Sequence, residues 1–372
     1  MQKDDYRSRF GISQSAIKQF MLKSPKKWKA LWIDGEQDLD KNEDNFTMGS
    51  LIDTMLFSPD TLNDRFYIGE EKLPSKAVAI IIKNVYDSMQ KALELSSQLP
   101  EEIPVKENLE DLHEKLLYYA NNYKNEDVIG WNNNWKAETR ISKLIEQGTD
   151  YFNSLCKSQG RKIISPQMNM EAIQLCEILR TDSTVKDYFV ENADNLLLFQ
   201  HEIFIDFEYD VDKKIPLKGA LDIVRFDHKN KTVQIIDFKS SYSAHDFIKS
   251  IKQYGYCDQL SFYDYLLREW LSIYCEGKYC GYQVIPPINI VIDISDKIPY
   301  VYKYNWNDLL LSSEGNREYL FSIFQTHDHN MKIKKGWKSV LKDIAWHYFN
   351  NKWDKPKEMY ENGFLMVNLL NG

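Results

Sequence analysis

The sequence lacks any continuous apolar run near 18 residues, so no membrane-spanning helix is expected. Its first stretch, MQKDDYRSRFGISQ, has no apolar signal core, and the expectation is a cytoplasmic protein. No CxxC pair occurs among the five cysteines, Cys156, Cys176, Cys257, Cys275 and Cys280. An odd count without metal-ligand spacing argues against a zinc finger and against a disulfide framework. Reduced, mostly buried thiols are the plain reading. No repeat or low-complexity tract stands out.

Positive charge is also short. The formal net charge is −8 over 372 residues, which taken alone argues weakly against a nucleic-acid partner. It does not exclude one, because a metal site needs carboxylates and basic residues can gather on one face. Two such gatherings exist. KSPKKWK (23–29) holds Lys26 and Lys27, and KIKKGWKSVLK (332–342) holds Lys334, Lys335 and Lys338. Each also carries a Trp. The ring lies against a base or sugar, or it turns inward from a solvated helix face; the sequence leaves both readings open.

What is present reads as a soluble mixed protein of ordinary composition, long enough for two or three domains. Residues 13–32 predict a helix with Ser13 as N-cap, broken or kinked at Pro25. An acidic loop (34–44) and a short apolar helix (46–59) follow. Helices are predicted at 76–98, 107–122, 135–158 and 167–180, the last starting at Ser165–Pro166. Near residue 195 the texture becomes β-rich: LLLFQHEIFIDFEYD, IPLKGALDIVRFD and TVQIIDFKSS, with a polar turn at 227–232 between the second and third. A long helix at 244–273, interrupted at Gly255, leads to strands at 279–286, 289–295 and 299–303. Helices close the chain at 305–326 and 338–350. The predicted class is α/β of mixed α+β character, a central mixed sheet flanked by helices with a helical insertion. The expected divisions are 1–60, N-terminal helices joining the core; 61–194, the insertion; 195–304, the core sheet and its following helix; and 305–372, a C-terminal helical segment.

Charge inside the β-rich region needs compensation. Asp237 and Lys239 alternate along IIDFKSS and so share a face, while Phe238 points to the other. One strand back, KGALDIV places Asp222 in an apolar run. A hairpin through 227–232 can bring Asp222 beside Asp237. Adjacent carboxylates repel unless a cation sits between them. A divalent metal with oxygen ligands, Mg²⁺ or Mn²⁺, satisfies this. Such an ion lowers the pKa of water from about 15.7 towards about 7. Lys239 can then hold the attacking water or neutralise a phosphate oxygen. The bland alternative is a buried Asp–Lys ion pair with no metal.

The run LKGALDIV, IIDFKSS and QYGYCDQLSFYDYLL resembles the PD-(D/E)xK nuclease superfamily, in the branch of exonuclease VIII (RecE-type) and RecB-like nuclease domains. The matching positions are Gly219 and Asp222, Asp237 and Lys239, and Gln259 and Tyr263, the last two on one helix face. GISQSAIKQFMLKSPKKWKA, MGSLIDTMLFSPDTLNDRFYIG and IISPQMNMEAIQLCEIL resemble upstream segments of that branch. In the second of these, Gly49 and Leu56 match, but the family's metal-ligating histidine is Asp53 here. An aspartate still binds a hard cation through oxygen, or it marks an altered site. QHEIFID resembles the leading strand, with Glu202 as an outer or additional ligand or a solvent-facing carboxylate. The cysteines of iron–sulfur relatives are absent.

The resemblance implies a restriction-endonuclease-like core and a Mg²⁺- or Mn²⁺-dependent deoxyribonuclease, an exonuclease of phage recombination or replication. It assigns Asp53, Asp222, Asp237 and the Phe238 carbonyl to the metal. Lys239 goes to the water or the transition state, and Gln259 and Tyr263 to the substrate. DNA is the implied substrate and a phage single-strand annealing or replication protein the implied partner. Related exonucleases form rings, so a homo-oligomer is in keeping with the resemblance. Two alternatives stand beside it: a degenerate nuclease fold kept for DNA binding or assembly, and an endonuclease.

Overall fold

The computed structural model describes residues 6, 8–36, 47–69, 74–97, 135–274, 279–315 and 335–365. The helix expected at 107–122, Lys334 and Cys275 lie outside them. The chain divides into two compact units, residues 1–45 with 177–372, and residues 46–176. No helix of the described residues is long and apolar enough to cross a membrane.

The first unit is built on a mixed sheet. Its strands are β3 (Asn195–Asp210), β4 (Lys213–Asp227), β5 (Thr232–Ser241), β6 (Gln283–Val284), β7 (Ile288–Asp293) and β8 (Pro299–Lys303). The order is β3-β4-β5-β7-β8, with β6 paired to β5. β3, β4 and β5 run antiparallel, β5 and β7 parallel, and β7 and β8 antiparallel. A parallel pair needs a crossover. Helices α8 (Phe247–Tyr254) and α9 (Tyr256–Tyr274) lie within it, separated at Gly255, whose φ of +70° favours glycine. The turn between β4 and β5 is tied by Asp227, whose carboxylate accepts from the Asn230 backbone and side chain.

Burial follows the sequence pattern. Ile203, Ile205 and Phe207 alternate inward on β3, whereas all six residues of β7 are buried, as in a strand covered on both faces. One core joins β3, β4 and β5 to α9 through Leu260, Phe262 and Leu266. It also joins them to α11 (Trp337–Asn350) through Val340, Leu341 and Ile344. Each such side chain contributes about 1.5–3 kcal/mol when fully buried. α10 (Trp306–Glu314) precedes α11.

The N-terminal helices α1 (Gln14–Leu22) and α2 (Pro25–Trp32) belong to this unit. Ser13 Oγ accepts from the Ala16 N–H, and Ser24 Oγ from that of Lys27. Pro25 therefore ends one helix and starts another at its N1 position, where its missing N–H costs nothing. Just before α1, the Ile12 N–H donates to Pro216 O and Ile12 O accepts from the Lys218 N–H.

In the second unit, α3 (Thr47–Phe57) and the short α4 (Leu62–Arg65) precede β1 (Phe66–Ile68), which pairs in parallel with β2 (Lys162–Ile164). α5 (Lys76–Ser97) and α6 (Ala137–Ser158) share a core of Val78, Ile81, Ile82, Val85, Leu144 and Leu155. α7 (Pro166–Thr181) begins at the expected Ser165, whose Oγ accepts from the Met168 N–H, and carries the chain back to the first unit. A final short helix, α12 (Lys357–Glu361), follows α11.

Candidate active site

The sheet opens where the charges lie. β4 and β5 pair from Asp227↔Thr232 as far as Ile223↔Ile236, and the ladder stops there. The next residues are Asp222 and Asp237. The Phe238 N–H donates to Asp222 Oδ2 at 3.0 Å, so a carboxylate replaces a ladder carbonyl. On the other side, β3 runs in register from Phe199↔Ile223 to His201↔Leu221, which sets Gln200 opposite Asp222. Gln200 takes a left-handed φ of +46°, and its amide donates to Asp222 Oδ1 at 3.2 Å. Asp222 is thus held from both neighbouring strands.

Asp237 is 1% exposed. Its Oδ2 meets Lys239 Nζ at 2.6 Å and accepts from Asn289 Nδ2 at 2.7 Å. Asn289 lies opposite it on β7, fully buried, and also donates to the Asp237 carbonyl at 3.1 Å. Tyr304 OH donates to Asn289 Oδ1 at 2.5 Å. Among the described residues, the buried Asp237 Oδ1 has no hydrogen-bond partner. Phe238 turns to the opposite face and packs edge-on against Phe189, with centroids 6.0 Å apart. Lys239 Nζ also donates to the Phe238 carbonyl at 3.1 Å and stands 5.3 Å from the Tyr256 ring centroid.

The electrostatics follow from this crowding. Burial alone would depress the Lys239 ammonium. The Asp237 and Asp222 carboxylates outweigh it and hold the ammonium above its ordinary range. Burial, reinforced by the same two carboxylates, pushes the Tyr263 phenol up. Tyr263 OH accepts from Gln259 Nε2 at 3.2 Å on α9. Gly219 lets that ring approach: a Cβ there would lie 3.3 Å from Tyr263 Cε1 and 2.5 Å from Leu266 Cδ1. Asp222, Asp237, Lys239, Gln259 and Tyr263 therefore form one cluster.

The other candidates stand as follows. Glu202 is half-buried on β3 opposite Ala220, and its charge, after burial, helps push the Tyr6 phenol up to about 12. Asp53 is on the exposed side of α3 in the second unit, between buried Ile52 and Thr54. Lys26 and Lys27 are exposed. Lys335 pairs with Asp343, and Lys338 with Glu314 at 2.7 Å. Both tryptophans of the basic segments are turned inward. Trp28 is fully buried and donates to Ala16 O; Trp337 is 3% exposed and donates to Ser261 Oγ. The reading that places them against a base is corrected: each indole N–H is spent on a buried acceptor.

A divalent cation suits this cluster. Hard oxygen donors are present, and Asp237 Oδ1 is a buried acceptor with no donor among the described residues. Among the described residues no group of three His, Cys, Asp or Glu side chains is assembled as a metal cage. Two carboxylates and a carbonyl are what these strands supply, a donor set that suits an ion keeping much of its water.

Residues 160–277 match the family model for the PD-(D/E)XK nuclease superfamily. That span holds β3, β4, β5, α8 and α9, and with them Asp222, Asp237, Lys239, Gln259 and Tyr263. The mixed sheet flanked by helices is consistent with the PD-(D/E)XK nuclease fold. No curated protein matches the chain. The crystal structure of SSO0001 aligns with 67% of this chain and 86% of its own, at 13% identity and a TM-score of 0.22.

Asn289, Tyr304 and Gln200 were not among the residues singled out from the sequence. One of them left a trace there: Asn289 is a lone amide inside an apolar strand run, INIVI.

Proposed function

We propose that the chain is a metal-dependent deoxyribonuclease that hydrolyses phosphodiester bonds, acting as an exonuclease in phage recombination or replication. The observation that carries the reading is the state of Asp237. Its buried carboxylate offers one oxygen to the Lys239 ammonium and keeps the other, Oδ1, without a donor, with Asp222 on the next strand. When bound, a divalent cation supplies positive charge against the phosphoryl oxygens and makes hydroxide available near neutral pH. Asp222, Asp237 and the Phe238 carbonyl would hold it. Lys239 is positioned to orient water or to meet charge developing on the phosphate. Gln259 and Tyr263 face the substrate. Asp53 enters as a further ligand only through the family resemblance.

Linear DNA labelled at either end, incubated with and without Mg²⁺, tests the reading. Loss of one terminal label before the other, only with Mg²⁺, is expected, and Asp237→Ala should abolish it. Cleavage of closed circular DNA would make the enzyme an endonuclease. Full Mg²⁺-dependent activity in Asp237→Ala would remove the site assignment altogether.

One feature favours a second reading, a fold retained for DNA binding without catalysis: Asp53 stands where the resembled family carries a metal-ligating histidine. Calorimetric titration with Mn²⁺ separates the two. A working site binds Mn²⁺ in a manner lost in Asp222→Ala; a degenerate one does not.

A further inference from the structure

Beside the carboxylate cluster, the first unit contains a groove of about 690 Å³. Its floor is β4 at Lys218–Ala220, and its walls are α1, α2 and the α8–α9 junction. Gln259 and Tyr263 line it and also belong to the cluster, so the groove lies beside Asp237 and Lys239, with those two side chains between them.

Its lining is unusual for this chain. Acidic residues outnumber basic ones overall, 55 against 47, yet among the described residues no Asp or Glu lines the groove. Lys18 and Lys218 do. Both ammoniums are fixed rather than swinging: Lys18 Nζ donates to Tyr254 O at 2.8 Å, and Lys218 Nζ to Arg9 O at 2.7 Å and to Tyr6 O at 3.1 Å. The remaining surface is largely aromatic, amide and serine, with Leu22, Gly219 and Ala220. A run of rings leads outward from the candidate site. The Lys239 ammonium stands by Tyr256, whose centroid is 5.8 Å from that of Tyr254, and Tyr254 is 46% exposed. Trp32 lies across the groove with its indole N–H donated to Gln19 Oε1.

This chemistry fits one occupant. Paired bases bury their faces in the stack, and duplex binding depends chiefly on many cations meeting phosphates. Among the described residues the groove has two such cations. It has one exposed ring, Tyr254, with half-buried rings, amides and serine hydroxyls beside it, which suit unpaired bases and a single backbone. We infer that the groove receives a single-stranded DNA segment and feeds it to the Asp222–Asp237–Lys239 cluster, with the exposed Tyr254 ring as a stacking platform for an unpaired base. The inference deepens the nuclease reading and rests on it for the direction of travel, while the binding itself needs no catalysis.

The test uses the full chain in EDTA, so that no cleavage occurs. Fluorescence anisotropy is followed with labelled oligothymidylate and with a blunt duplex of equal length. Oligothymidylate should bind tighter than the duplex. Tyr254→Ala should weaken oligothymidylate binding about tenfold, within the range for loss of one stacked base, and Tyr254→Phe should restore it. Tyr254 is exposed, so neither variant should alter thermal stability. Preference for the duplex, or an unchanged oligothymidylate affinity in Tyr254→Ala, would overturn the inference and leave the nuclease reading standing. Tight, Tyr254-dependent binding together with no Mg²⁺-dependent degradation of any DNA would do the reverse.

Discussion

Asn289 grips Asp237 at both ends, its amide donating at 2.7 Å to carboxylate Oδ2 and at 3.1 Å to the backbone carbonyl. Tyr304 OH in turn donates to Asn289 Oδ1. A three-residue relay across β5, β7 and the residue after β8 therefore fixes which carboxylate oxygen is occupied and which is presented.

Replacing Asn289 with Leu removes that grip with little change of volume. Partners that orient a metal ligand are worth about 10- to 100-fold in metal affinity. Asn289→Leu should weaken Mn²⁺ binding by that factor in calorimetry, and Tyr304→Phe should weaken it less. Equal Mn²⁺ affinity in Asn289→Leu and the parent would show that the relay only packs the sheet.

Asp53 stands where the resembled family carries histidine. If its carboxylate contributes to the metal, Asp53→Ala should lower Mg²⁺-dependent turnover by orders of magnitude, while Asp53→His should retain activity with a shifted metal preference. Assays in Mg²⁺, Mn²⁺ and Co²⁺ separate these outcomes. Undiminished turnover in Asp53→Ala would confine the ligand set to the sheet.

Gly219 is a packing requirement with a functional edge. A methyl group there meets Leu266 Cδ1 at 2.5 Å and Tyr263 Cε1 at 3.3 Å, so both must shift. Gly219→Ala should cost about 1–3 kcal/mol of stability, the range for overpacking. It should also displace the Tyr263 ring and so reduce turnover. Denaturant melts alongside kinetics would check both effects, and a variant as stable and active as the parent would contradict the close fit.

Acid stability has an identifiable contributor away from the site. Burial alone would raise the pKa of Asp293. The N–H groups of Asp296, Ala244 and Ser295 donate to its carboxylate and outweigh that, holding the pKa below the ordinary 3.8. A depressed carboxylate stabilises the fold above its unfolded-state pKa, and that contribution disappears as pH falls through the lower folded value. Asp293→Ala should cost about 2–3 kcal/mol near neutrality. Because only the parent loses carboxylate stabilisation at low pH, the gap should narrow below about pH 3.8. Thermal melts of both proteins across the acid range would show it; a gap constant with pH would mean that charge is not involved.

Much of this was legible in the sequence, for physical reasons that can be named. The alternation of Asp237 and Lys239 fixes their common face whatever the fold around them, and Asp222 needs only a hairpin to arrive. Ser13, Pro25, Ser165 and Gly255 announce helix ends because caps, ring closure and left-handed φ are local properties. The partners of Asp237 were less visible. Asn289 reaches it only after a crossover of two helices, and nothing local pairs β5 with β7. The inward turn of Trp28 and Trp337 was open for the same reason: their acceptors, Ala16 O and Ser261 Oγ, belong to other helices.

The parting of β4 from β5 leaves two thirds of an inner strand outside their ladder, and Ile12 bonds to that vacated side through Pro216 and Lys218. Removal of the residues through Ile12, by a protease or by cloning, would uncover a raw β-margin in the middle of the sheet rather than at its rim. Such a margin invites self-adhesion between copies, so a trimmed preparation is expected to clump before it melts, with light scattering rising ahead of any loss of helical signal.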